Sequence, residues 1–440
     1  MDRREFINTA VAGAGLSLLP GAVLPGGQAQ TCDKLHVAII GHGRQGSVLF
    51  DAMRNIPGLH FQAVCDIWDY QRKGGMGRVR TLQRHVPNGY SDIDEMLATE
   101  KGLDAAIIAT PDFWHAPHTL KCLEAGLHVY CEKTMSNTLD GARAIVRAVE
   151  KSGKLCQIGY QRRSNPRYRY TLEQLLHGHR IFGQIVNVNG QWNRTIGASR
   201  EFAIKPNLFI KQDILSQYGY KDMRQFMNWR FYRDLSGGPI ANLGSHQIDV
   251  FNWFLGVAPR SVCAFGGNDY FKERECFDNT MAVFEYDTPH GTVRACEQVV
   301  TTSAGIGGYY ESFMGTGGTI NLSEQPAYTN MVGYGSSLEW EKLAARGFLK
   351  HKDPPPQCRH DLANILSRPS RPPLDFELPG AFSKPPHQPH LENFFAAIRG
   401  EATLNCDARC AFASEAPMHW IDPSARNRQA ITFTGEHLAV

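Results

Sequence analysis

The apolar run Leu35-His-Val-Ala-Ile-Ile40 enters the turn Gly41-His-Gly43-Arg-Gln-Gly46, and Ser47-Val-Leu-Phe-Asp-Ala-Met53 continues from it. A second apolar run, His60-Phe-Gln-Ala-Val-Cys65, ends on Asp66. This strand–turn–helix–strand order constrains the fold more than any other part of the chain. In such a turn the first glycine permits the tight bend, the second lets backbone approach a pyrophosphate, and the third lets helix and strand pack closely. The helix N-terminus then offers free N–H groups and its positive dipole end to the phosphates. A carboxylate at the end of the second strand accepts hydrogen bonds from the adenosine ribose hydroxyls and repels a 2′-phosphate, which favours NAD over NADP. Arg44, Arg72 and Lys73 stand close enough in sequence to leave NADP open. The turn as a whole, with His42, Arg44 and Gln45 among its glycines, is assigned with Asp66 to the cofactor.

From residue 34 to 158 strands and helices alternate. The strand Ala105–Ala109 precedes a helix from Pro117, Gly126 is a C-cap, and His128–Cys131 is a strand. A helix over Leu139–Ser152 and a strand over Leu155–Ile158 follow. That order predicts a Rossmann domain, a doubly wound parallel sheet with helices on both faces. From 159 to 435 the texture changes to β-branched and aromatic runs at 184–192, 261–265, 280–286 and 292–299, the last two joined by Thr288-Pro-His-Gly291. A C-terminal α+β domain with a large, mostly antiparallel sheet is expected there. Within it, residues 352–389 form a Pro-rich arm. The helix His390–Arg399 sets Leu391, Phe394, Phe395 and Ile398 on one face, to dock on the core.

Residues 1–30 read as a signal segment rather than as fold. Arg3 and Arg4 precede Phe6, a weakly apolar run covers 9–24, and a small-residue site stands near Gly27-Gln-Ala29. Paired arginines in that setting resemble a twin-arginine signal, which implies export, a periplasmic location, and folding in the cytoplasm first. No later stretch is long and apolar enough to span a membrane. The 11 cysteines, odd in number and often within apolar strands, read as thiols of a chain folded in a reducing compartment. Cys406 and Cys410 have no matching His/Cys set beside them, so no metal site is expected. A net charge of +3 gives no reason to expect nucleic acid as a partner.

Four segments carry the chemistry: Ala109-Thr-Pro-Asp-Phe-Trp-His115 and Glu132-Lys133-Thr134 at carboxyl ends of strands, Gln161-Arg-Arg-Ser-Asn-Pro166, and Gly237 to Asp249. Ligands bind at carboxyl strand ends in open α/β sheets, which brings Thr110 and Pro111 to the cofactor. If 237–249 is helical, Asn242 and His246 share a face, as do His246 and Asp249. Trp192, Arg194, Trp229, Arg230 and Tyr232 supply an aromatic and polar wall for a sugar. Arg163 and Asp249, from two of the segments, are further substrate candidates.

With these motifs in order, the chain resembles the Gfo/Idh/MocA family, which includes glucose–fructose oxidoreductase and inositol dehydrogenase. The resemblance covers nearly all of residues 34–435. It implies that Lys133 contacts the reacting hydroxyl, that His246 accepts its proton, and that Trp114, His115, Glu132 and Gln161 line the cofactor. Two positions depart from the family pattern. Thr134 replaces the proline of its Glu-Lys-Pro element. Asn242, a candidate catalytic residue that can bond a sugar hydroxyl, replaces a frequent aspartate and holds no charge to raise the basicity of His246.

Alcohol oxidation needs a hydride acceptor on one face of the carbon and a base for the proton, roles suited to a nicotinamide and to imidazole or lysine. The expected activity is hydride transfer between tightly bound NAD and a hydroxyl of a sugar, cyclitol or glycoside. One alternative is a redox-neutral, NAD-dependent glycosidase, although the Tyr-Pro-x-His signature of that branch is absent. Another is a non-catalytic dinucleotide- and sugar-binding protein. A dimer or tetramer is expected, because an open sheet face commonly buries itself against a second subunit.

Overall fold

The computed structural model describes residues 34–304, 308–333, 338–352, 374–380 and 384–440. The signal segment and much of the Pro-rich arm therefore lie outside the described residues. Six parallel strands form the first sheet: β1 (Leu35–Ile40), β2 (Leu59–Cys65), β3 (Asn88–Tyr90), β4 (Ala105–Ile108), β5 (His128–Cys131) and β6 (Cys156–Ile158). Their order is β3-β2-β1-β4-β5-β6. The chain winds outward from β1 in both directions, so a crevice opens past the carboxyl ends of β1 and β4. Gly41 and Thr110 stand at that crevice. Val37, Ala38, Ile39 and all four residues of β4 are fully buried, as continuous apolar strands covered on both faces must be.

The second sheet has ten strands: β7 (Ile185–Thr195), β8 (Ser261–Gly267), β9 (Asn279–Thr288), β10 (Gly291–Ser303), β11 (Tyr309–Gly315), β12 (Gly318–Leu322), β13 (Asn330–Gly333), β14 (Lys350–His351), β15 (Leu374–Glu377) and β16 (Ile431–Thr432). Among the described residues of this sheet, β7 and β10 alone pair in parallel. On β9, Ala282, Phe284 and Tyr286 face the core, which the helix Ser245–Leu255 covers with Ile248, Phe251 and Phe254. The opposite face exposes Phe265, Met281 and Val283.

Three expectations change. The helix after β4 spans Asp112–Glu124 and takes Pro117 into its interior, rather than starting there. Two helices of the 159–435 segment pack on the first sheet. Leu391, Phe394 and Phe395 of the helix Gln388–Ile398 join Val37 and Ile39 in the first sheet's core. Ala411, Phe412 and Ala416 of the helix Ala408–Met418 pack with Ile108 and Val129 on its other side. Apolar spacing shows that a helix buries a face, not which layer receives it. Finally, 240–244 is a π-helical turn leading into Ser245–Leu255. The wide turn breaks the α-helical spacing between Asn242 and His246, although both still line the cleft.

Candidate functional site

A cleft of about 670 Å³ lies where the two sheets' loops meet, a volume suited to a small organic ligand. At one end is the glycine turn. Gly41 has φ +84°, and a Cβ there would sit 2.9 Å from the Ala109 backbone. A Cβ on Gly46 would come within 2.0 Å of the Gly41 carbonyl oxygen, whereas Gly43 faces open space. The helix Arg44–Met53 starts at Gly43 with no side-chain cap, so its first N–H groups are left for an anion. Asp66 Oδ2 accepts from the His42 N–H and Oδ1 from the Trp68 N–H, both at 2.8 Å. Each oxygen keeps a lone pair for a ribose hydroxyl, and burial pushes the carboxyl up to about 6 against those bonds. Arg72 and Lys73 both pair with Asp69, and Arg72 Nη1 also donates to the Asp66 carbonyl oxygen at 3.0 Å. These features fit a dinucleotide.

His42 contributes to this end only through its backbone. Its ring turns from the cleft to meet Phe50 edge-on at 6.1 Å, and burial lowers it to about 4. The assignment of its side chain to the cofactor is corrected accordingly.

At the other end Lys133 Nζ donates to the carbonyl oxygens of Asn242 at 2.6 Å and Ala241 at 3.3 Å. The Lys133–Thr134 peptide is cis. Burial, helped by Arg230 and Arg194 and opposed by Asp112 and Glu132, lowers the ammonium to about 8. His246 stacks on Trp192 at 5.8 Å and meets the Tyr160 ring edge-on at 5.9 Å. Its Nδ1 is buried without a hydrogen-bond partner among the described residues. Burial, then the charges of Lys133 and Arg162, hold it well below the usual histidine range. Glu132 Oε1 accepts from Gln45 Nε2 at 3.1 Å, and Gln161 Nε2 donates to Glu324 at 3.1 Å. Trp114 stacks on His118, whose Nδ1 lies 3.2 Å from Thr110 Oγ1, and Trp114, Pro111, Trp229 and Arg230 also line the cleft.

Three assignments shift. Arg163 and Asp249 do not reach the cleft. Arg163 Nη2 lies 2.7 Å from Asp249 Oδ1 in the interior, where the pair ties two segments together. His115 does line the cleft, and its ring sits between the carbonyl oxygens of Thr134 at 2.5 Å and Thr110 at 2.7 Å, bridging the two loops that carry the lining. The Asn242 amide is also engaged. Nδ2 donates to Ser236 Oγ and Gly238 O, both at 2.9 Å, while Oδ1 accepts from Arg230 Nε at 3.0 Å. It is a positioning residue for Lys133 and Arg230 rather than a free partner for a hydroxyl.

Sequence reasoning missed Trp68 and His387, which both line the cleft. Trp68, two residues after Asp66, was within reach of the motif argument. His387, 3.1 Å from Gln45 Nε2, lies in the Pro-rich stretch with no local signal.

Residues 35–160 match the family described as "Oxidoreductase family, NAD-binding Rossmann fold", and residues 213–321 match the "GFO/IDH/MocA C-terminal domain". The chain belongs to the Gfo/Idh/MocA oxidoreductase family. Among curated relatives, an inositol 2-dehydrogenase of Rubrobacter xylanophilus is 31% identical over 238 residues, 54% of this chain and 56% of that one. A scyllo-inositol 2-dehydrogenase (NAD(+)) of Bacillus subtilis is 23% identical over 260 residues, 58% and 65% of the two. The match thus spans less than two thirds of either relative. The crystal structure of myo-inositol 2-dehydrogenase from Lactobacillus plantarum shares the fold, with a TM-score of 0.64, 17% identity, and coverage of 91% of this chain and 100% of that one.

Proposed function

We propose that this protein is an NAD-dependent oxidoreductase acting on a hydroxyl of a sugar, cyclitol or glycoside. The observation that carries this is Lys133 Nζ, held by two backbone carbonyls at the cleft floor. Bound at the glycine turn, NAD supplies the hydride acceptor. As a neutral amine, Lys133 gives its two N–H bonds to those carbonyls, and its lone pair points along the remaining tetrahedral direction. That lone pair takes the substrate's hydroxyl proton. His246, neutral through burial, bonds the same hydroxyl region. The proton acceptor is therefore Lys133 rather than His246. Names of relatives that act on inositols support the substrate class.

The test incubates the full chain with NAD or NADP and a panel of sugars, cyclitols and glycosides, following 340 nm absorbance and released aglycone. Net NADH with a keto product, and weaker use of NADP, is the expected result. Aglycone release without net NADH would replace this reading with a redox-neutral glycosidase, and binding without either product would leave a sensor. The mass of the same preparation by light scattering tests a second proposal. The apolar face bearing Phe265, Met281 and Val283 fits another copy of this chain, and a monomer overturns it. We also propose that residues 1–30 direct twin-arginine export of the folded, cofactor-loaded protein, on the strength of Arg3 and Arg4 before Phe6. Arg3→Lys with Arg4→Lys should retain it in the cytoplasm; unchanged fractionation overturns export by this route.

A further inference from the structure

Two buried guanidinium groups in this fold are neutralised by carboxylates. Arg162 pairs with Glu311 and Glu324, and Arg163 with Asp249. The guanidiniums that face the cleft are solvent-exposed instead. Arg44, Arg194, Arg230 and the Lys133 ammonium all line it, together with Asp112 and Glu132, whose charges favour the Lys133 ammonium; none of the four cations is within ion-pair distance of a carboxylate among the described residues. Arg44 stands at the helix N-terminus, where the phosphates of a bound dinucleotide would answer it. Arg194 and Arg230 belong to the other end.

Both are held on aromatic platforms. The Arg230 guanidinium lies 4.1 Å from the Trp229 ring centroid, and that of Arg194 lies 5.9 Å from Trp192, which itself stacks on His246. Arg230 Nε donates to Asn242 Oδ1, and the carbonyl of the same asparagine receives Lys133 Nζ. One residue therefore sets a guanidinium beside the proposed base. Because Asn242 is an amide, it orients Arg230 without cancelling its charge, as a carboxylate there would. The two guanidiniums also feel each other: the crowding of the cleft walls, then the charges of Arg230 and Arg44, lower Arg194 to about 10. An anion placed between like charges relieves their mutual repulsion. Guanidinium matches carboxylate and phosphate through paired N–H donors.

We propose that Arg194 and Arg230 form an oxyanion clamp, so that the molecule oxidised carries a carboxylate or phosphate close to the reacting hydroxyl. This rests on the hydride-transfer reading for the word "oxidised", but not for the clamp, so binding is measured separately from turnover.

The NAD-loaded full chain is titrated with glucose, glucuronate and glucose 6-phosphate, reading tryptophan fluorescence, since Trp192 and Trp229 lie under the clamp. At least one anion should bind about tenfold or more tightly than glucose, with the advantage shrinking as salt is raised. Which anion wins distinguishes a carboxylate from a phosphate substrate. Arg194→Gln and Arg230→Gln should each remove most of that advantage with NAD affinity retained. Asn242→Asp, which supplies an internal counter-charge, should remove it too. Equal binding of glucose and both anions, or an advantage that survives Arg230→Gln and Asn242→Asp, overturns the clamp. Loss of NAD affinity in Arg230→Gln does so as well, by giving the guanidinium to the cofactor. Selective anion binding without NADH formation supports the clamp and overturns the hydride-transfer reading alone.

Discussion

Lys133→Ala is expected to lower kcat for sugar oxidation by about 10²–10⁴-fold, the range for loss of a positioned acid–base group, while NAD stays bound. The methyl group cannot accept a proton, and the glycine turn and Asp66, which meet the dinucleotide, are untouched. The pH profile separates a base from a structural lysine. Only the deprotonated amine accepts a proton, and burial sets its titration near 8. Oxidation should therefore rise with pH to a plateau above about 8 in the parent, and the variant's residual rate should lack that limb. Lys133→Arg should not rescue the limb, because a guanidinium keeps its proton throughout this range. His246 contributes no limb near the usual histidine range, since burial holds it neutral. A variant with unchanged kcat, or with the same limb near 8, would remove Lys133 as the base.

Local rules read some of this chain to the residue. The helix Leu139–Ser152 begins where Thr138 Oγ1 accepts the Gly141 N–H at 3.2 Å, and it ends at Gly153 with φ +66°. Both signals are short-range. The phosphate turn was legible for the same reason, because Gly41 and Gly46 each answer a contact one strand or one helical turn away. Legibility failed where a side chain's partner is distant. His42 sits between two glycines of the motif, yet its ring packs inward on Phe50. Arg162 and Arg163 are adjacent and chemically identical, and their separate fates depend on Glu311 and Asp249, 149 and 86 residues away. No periodicity reports such pairings. The same holds for Asn242: its type was visible, but its engagement with Arg230 and Ser236 exists only in three dimensions.

The Asp249 pairing yields the other large expected effect. Asp249→Ala should cost about 3–5 kcal/mol of stability, the usual loss when one partner of a buried ion pair is removed. Asp249 is fully buried, and its Oδ1 accepts from Arg163 Nε at 2.9 Å, Arg163 Nη2 at 2.7 Å and Ser414 Oγ at 2.7 Å. Alanine strands the guanidinium in the interior and loosens the join between Gln161–Ser164, Ser245–Leu255 and Ala408–Met418. Replacing both partners, Asp249→Leu with Arg163→Met, removes the charges together and should recover most of the loss. Denaturant unfolding without NAD measures this, and a loss under about 1 kcal/mol, the size of an exposed pair, would contradict the burial argument. The result also decides between the two readings of this aspartate. A substrate contact at the cleft would raise KM in Asp249→Ala with stability intact. A buried tie gives the reverse, lowered stability with KM preserved in whatever fraction stays folded, because Asp249 is fully buried and its carboxylate is taken by Arg163 and Ser414.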